Sequence, residues 1–116
     1  MRLDTARRFA LSLPESTEEP HFEKSSFRVR GKIFATVPLG GKHLHVFVDG
    51  AEGRALIADD PAAFEEIWWG KKVASDWLRV NLGAADRAQV CELLEDAWRL
   101  KAPKRVVAAF DAERAV

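Results

Sequence analysis

Two short alternating runs that meet at a glycine constrain this chain more than any other feature. In Ser25-Ser26-Phe27-Arg28-Val29-Arg30-Gly31-Lys32-Ile33-Phe34-Ala35-Thr36-Val37, apolar and polar residues alternate on both sides of Gly31. That is the pattern of half-buried strands joined by a tight turn. A third run, 43–48, follows Gly40-Gly41-Lys42, a second connection of hairpin length. The expected strands are 25–30, 33–38 and 43–48, paired antiparallel. A two-residue first loop places Phe27, Val29 and Phe34 on one face, and Arg28, Arg30, Ile33 and Ala35 on the other. A three-residue loop sets Arg28 beside Phe34. Side chains alternate with period two, so a slip of one residue exchanges the faces, and both registers stay open.

Helical patterns flank this block. Leu3, Ala6, Ala10 and Leu13 form one stripe with Phe9 beside it, predicting a helix over 3–12 that Pro14 ends. Residues 15–24 read as an acidic connector carrying Glu15, Glu18, Glu19 and Glu23. Asp49 suits the N-cap of a short helix over 50–58. Asp60-Pro61 is a further start signal, predicting a helix to about 67. Trp68-Trp69-Gly70-Lys71-Lys72 reads as a loop and 77–82 as another strand. Val90, Leu93, Leu94, Ala97 and Trp98 define a helix over 85–100, and Pro103 opens a last one with Val106, Val107 and Phe110 on one side. Hairpin-joined strands segregated from helices predict an α+β domain, with an antiparallel sheet covered by helices mainly on one face.

Composition narrows the function classes. The 116 residues suit one domain, and 47% hydrophobic residues suffice for one core. Eighteen Lys and Arg balance eighteen Asp and Glu. That zero net charge argues against high-affinity DNA binding, although a local basic patch survives it if the acids lie elsewhere. Cys91 is the only cysteine, so no intrachain disulfide forms, as suits a reducing cytoplasm. The first thirteen residues lack the continuous apolar core of a signal peptide. No run approaches a membrane span. A cytoplasmic protein with no membrane partner is expected.

The order of several motifs resembles a known family. Leu13-Pro14-Glu15, then Glu19-Pro20-His21-Phe22, then the block from Ser26 to Ala35 are similar to the MmcQ/YjbR family of small bacterial proteins. Ala58-Asp59-Asp60-Pro61, the Trp68 region, Trp77-Leu78-Arg79-Val80 and the closing helices agree in order and spacing, so the resemblance spans nearly the whole chain (1–116, one domain). It implies a compact α+β domain of the kind generally labelled DNA-binding on grounds of fold. It implies no reaction, no cofactor and no catalytic residue.

Three sets of residues compete as functional candidates. Arg28, Arg30 and Lys32 at the first turn, with Lys24 before it and Lys42 and His43 at the second, could contact phosphates. The two tips lie at opposite ends of strand 33–38, ~20 Å apart at ~3.3 Å per residue. The structural alternative is that these cations discourage edge-to-edge aggregation. Trp68, Trp69, Lys71 and Lys72 could form an aromatic and basic surface for a protein or small ligand, whereas Trp77 and Trp98 are expected in the core. His43 and His45 share a strand face and, with His21, could present three nitrogens to a metal, but an isolated pair at i and i+2 is more often structural.

The remaining polar clusters read as structure. Asp59-Asp60 with Glu65-Glu66 fits a cap and a solvated face better than paired catalytic carboxylates. Gly40-Gly41-Lys42 lacks the rest of a phosphate loop, and Cys91 reads as a buried thiol. The expected function is therefore non-catalytic: a weak, salt-sensitive DNA contact through the basic hairpin and the open sheet face. A protein or small-ligand module using the Trp68/Trp69 loop is the alternative, and a histidine-based metalloenzyme the third reading. No cofactor or metal is expected.

Overall fold

In the computed structural model, which describes residues 1–115, the chain runs α1 (Leu3–Ser12), β1 (Ser16–His21), β2 (Lys24–Val29), β3 (Lys32–Val37) and β4 (His43–Phe47). It continues through α2 (Gly50–Asp59), β5 (Phe64–Trp69), β6 (Lys72–Asn81), α3 (Arg87–Lys101) and α4 (Lys104–Arg114). The strands form one antiparallel sheet in the order β1-β2-β3-β4-β6-β5. Helix α3 lies over β2, β3 and β4, α2 over β5 and β6, and α1 against α3 and β1. The Cα radius of gyration is 13.8 Å, close to the ~13 Å of one compact domain of this length.

The core is the row of inward side chains that alternation predicts. Phe27, Ala35, Val46 and Leu78 face one another across four strands and are fully buried, as are Val90, Leu94, Ala97 and Trp98 of α3 above them. Ala6 and Ala10 are also fully buried, and their small side chains let α1 lie close to α3. Trp98 stacks edge-on against Phe110 at 5.1 Å and donates its indole N–H to the Pro14 carbonyl at 3.0 Å. It thereby joins α3, α4 and the end of α1.

The first hairpin turns through Arg30 and Gly31, one residue earlier than Gly31-Lys32. Both residues are left-handed, at φ 52° and 81°, as a two-residue turn that matches strand twist requires. Pairing runs Val29–Lys32 and Arg28–Ile33, then jumps to Phe27–Ala35. Phe34 is thus the extra residue of a β-bulge. The bulge puts Phe34 and Ala35 both into the core, so Ala35 does not share the arginine face.

Three other expectations are corrected. Residues 15–24 hold an edge strand, β1, in which Pro20 is tolerated because an edge leaves amides unpaired. The helix expected over 60–67 is one turn followed by β5. Asp60 caps that turn, its carboxylate accepting from the Ala63 amide at 3.3 Å, and the buried Phe64 and Ile67 then carry the chain into the sheet. Trp68 and Trp69 close β5, Lys72 opens β6, and the loop shrinks to Gly70-Lys71, so β6 begins five residues before Trp77.

Asp49 caps α2 as its type suggests, its Oδ1 accepting from the amides of Ala51 at 3.0 Å and Glu52 at 3.2 Å. Asp49→Ala should lower stability by about 1 kcal/mol, read as a shift of the urea midpoint at constant m.

Candidate functional site

The sheet face away from the helices has a polar row of its own. Glu19, Ser26, Thr36, His45, Arg79 and Glu65 stand opposite one another, one from each strand in spatial order. Ser26 is the one buried polar residue there, and it is satisfied. Its hydroxyl donates to the Glu19 carbonyl at 2.8 Å and accepts from Arg28 Nε at 3.0 Å. Arg28 also reaches the Pro20 carbonyl at 3.3 Å, which pins its guanidinium across the edge strand.

This face is curled into a hollow. A half-open cavity of about 210 Å³ draws its lining from all six strands. His21 of β1 and Trp69 of β5 both border it, although five interstrand gaps of ~4.8 Å would hold those strands ~24 Å apart in a flat sheet. The irregularity in the last hairpin contributes to the curl. Ile67 alone stands between the pairs Glu66–Leu78 and Trp68–Val73, while β6 spends residues 74–77 on the same span. Such a bulge increases local twist and bends the strand. The floor is Ile33, Thr36 and His45, and Trp77 with the 8%-exposed Ile67 forms an apolar wall. Among the described residues, Lys24 supplies the lining's one lysine or arginine, and no carboxylate borders the cavity.

His45 is held in one form by its neighbour. Arg79 Nη1 lies 3.1 Å from His45 Nε2. A guanidinium only donates, so Nε2 is the bare acceptor and the ring proton sits on Nδ1. Burial, then the positive charges of Arg79 and Lys24 and the neighbouring His43, lowers the His45 pKa from 6.5 to about 4. The ring is therefore neutral at physiological pH. Arg79 faces Glu65 across the strands but is ion-paired with no carboxylate among the described residues.

The predicted cations are divided rather than gathered. Arg30 is ion-paired with Glu15, so the hairpin tip loses one of its three charges. Lys32 remains exposed at that tip, and Lys42 is exposed beyond the other end of β3. Lys24 reaches the hollow, and His43 lies two residues before His45 on the same strand face. Lys71 and Lys72 are exposed at the last turn, where Lys72 is the cross-strand partner of Trp69. Of the acidic stretch, Glu15 takes Arg30, Glu18 takes Arg7 at 2.9 Å, and Glu19 accepts from the Thr17 hydroxyl at 2.9 Å.

The tryptophans separate by role. Trp98 is core, as expected. Trp77 is not: it is half-buried, lines the hollow, and meets Phe47 edge-on at 5.6 Å. Trp68 and Trp69 are both exposed, at 58% and 64%, and only Trp69 borders the hollow. Sequence reasoning missed Thr36, Arg79, Ile33 and Ile67 as parts of one site. No local pattern signals them, because the site depends on which distant strands pair.

Other candidates do not assemble. No three His, Cys, Asp or Glu side chains among the described residues could hold a metal ion, and the Nε2 of His45 is already engaged. Gly40 and Gly41 have φ of 101° and 69° in a turn that leads into a strand, not a helix. Asp59, Asp60, Glu65 and Glu66 do not converge, since Asp60 serves the turn and Glu65 the polar row. Cys91 is half-buried on α3, with burial pushing its thiol pKa up. No described helix is long and apolar enough to cross a membrane.

These features define a class: a small α+β domain with helices on one side of a curled antiparallel sheet and a half-open hollow on the other. The chain belongs to the YjbR family, whose model matches residues 11–100. The crystal structure of Deinococcus radiodurans protein DR2400, which carries a DUF419 domain, superposes with a TM-score of 0.74. It is 23% identical and covers 85% of this chain and 77% of its own, a likeness of fold. No curated protein matches the sequence.

Proposed function

We propose that the chain is a non-catalytic nucleic-acid-binding protein that holds a single strand against the curled sheet face. The observation that carries this reading is the meeting of Lys24, Trp69 and Trp77 in one carboxylate-free hollow. Aromatic platforms beside cations bind unpaired bases and their phosphates without demanding a sequence. The hollow admits a ring but not a duplex, so the strand is single. The tip reading is weaker, because Arg30 is already paired with Glu15. Binding without catalysis is supported by His45: a ring with a pKa near 4 is a poor general base at neutral pH.

Fluorescence anisotropy with labelled single-stranded and duplex oligonucleotides at low salt tests this. Contacts to phosphate by Lys24, Arg28, Lys71 and Lys72 would give a log–log salt slope near −3, at ~0.7 per phosphate. Lys24→Glu with Lys72→Glu should weaken single-strand binding by about tenfold or more, and Lys32→Glu at the tip by much less. No binding at tens of micromolar protein, or equal loss from Lys32→Glu, refutes the reading. A second reading, protein docking along the β5 edge, is favoured by Trp68, whose cross-strand partner Val73 is also exposed. Trp68→Ser would abolish that docking and leave strand binding intact.

A further inference from the structure

We infer that the hollow is a subsite for one nucleoside monophosphate unit, a planar base with an adjacent phosphate, whether free or carried in a strand. The inference rests on the binding reading above and specifies its ligand. Size is the first argument. About 210 Å³ holds roughly seven waters at ~30 Å³ each and falls below the ~300 Å³ where pockets for drug-sized ligands begin. That is the room of a single mono- or bicyclic ring system.

The lining chemistry is the second argument. Trp69 and Trp77 present indole surfaces, and Ile33 and Ile67 add aliphatic ones. A flat, weakly polar ring is the group such walls accept. Lys24 borders the same space, is exposed, and is ion-paired with no carboxylate among the described residues. A carboxylate-free site with one free ammonium group at its border selects an anion next to the ring and disfavours a cationic ligand.

The polar floor is the third. Arg79 occupies His45 Nε2, which leaves the Nδ1–H as the imidazole's free donor. Thr36, directly across from His45, has a hydroxyl with no hydrogen-bond partner among the described residues. A fixed donor beside a hydroxyl that both donates and accepts suits the mixed edge of a nucleobase. A purely aliphatic ligand would leave both groups unpaired and desolvated.

The test titrates the purified chain with the four nucleoside monophosphates, the matching nucleosides and inorganic phosphate. Tryptophan fluorescence and amide chemical shifts are the readouts, followed by competition against a labelled single strand. Monophosphates should shift the Thr36, His45 and Trp69 signals and bind about tenfold or more tighter than nucleoside or phosphate alone. Trp69→Ala should weaken them about tenfold and Lys24→Ala by a similar factor. Both side chains are exposed, so the folded thermal transition should survive and serve as the control. Unchanged spectra up to about 10 mM monophosphate, where even millimolar affinity would register, overturn the inference. Inorganic phosphate competing as well as monophosphate overturns it too. An oligonucleotide that binds while monophosphates neither bind nor compete refutes the subsite and leaves strand binding standing. Monophosphate binding without any oligonucleotide binding supports the subsite, identifies the free nucleotide as its source, and removes the strand reading.

Discussion

Trp98→Ala should remove about 3–5 kcal/mol of stability, a large share of the ~5–15 kcal/mol typical of a domain. The indole is fully buried, so truncation leaves a cavity under three elements at once. It also strips the Pro14 carbonyl of its donor at 3.0 Å and Phe110 of its edge-on partner. Trp98→Phe separates these contributions. It keeps most of the packing and loses the hydrogen bond, and should cost about 1–2 kcal/mol. Urea unfolding with an unchanged m value is the measurement. A shift below ~1 kcal/mol for the alanine variant would show that the junction of α1, α3 and α4 collapses onto the space without strain.

Acid should weaken the fold through His45 before the bulk of the carboxylates titrate. Its folded pKa, about 4, lies below its ordinary 6.5. The unfolded chain therefore binds the proton more readily, and the contribution is complete above pH 6.5 and lost as pH falls toward 4. A shift of that size corresponds to ~3.4 kcal/mol at ~1.36 kcal/mol per unit. The ring is only partly buried, and screening reduces this to about 1–2 kcal/mol. Glu52 and Asp96 act in the opposite sense as pH falls through their raised pKa values. Burial, and then repulsion by neighbouring carboxylates, raises both pKa values, so their protonation favours the folded chain. The stability difference between wild type and His45→Gln, followed from pH 7 to 4, isolates the histidine. The glutamine carbonyl can still accept from Arg79, and the difference should narrow or reverse in acid. A difference that stays flat across that range would mean that His45 titrates normally.

The sheet's centre was legible because its signal is local. Alternation around Gly31 and the two turn sequences determine β2, β3 and β4, and the three-and-four spacing of Val90, Leu93, Leu94 and Ala97 determines α3. The edges were not. β1 hides behind Glu18, Glu19 and Pro20, residues that disfavour strands in general but suit an edge. β5 hides behind Asp60-Pro61, a true start signal that yields a single turn before Phe64 is claimed by the core. The register of the first hairpin escaped for a similar reason, since no periodicity announces the bulge at Phe34.

The candidate site was legible only in pieces. Lys24, His45 and Trp69 were each conspicuous, but nothing in their spacing joins them. Their meeting depends on β4 pairing with β6 and on the uneven last hairpin, both matters of tertiary packing. The basic tip illustrates the converse. Arg28, Arg30 and Lys32 look like one patch in sequence, yet Arg30 turns to Glu15 and Arg28 to the Ser26 hydroxyl and Pro20 carbonyl.

The curl has a consequence for mechanics. The hollow's two rims come from the outermost strands, β1 and β5, which share no hydrogen bonds with each other. Anything seated between His21 and Trp69 bridges the two free margins of an open sheet, as a seam closes a cylinder. A nucleotide seated there, as inferred above, would be the missing stitch, and its departure would free the β1–β2 and β5–β6 hairpins to move apart at the two margins.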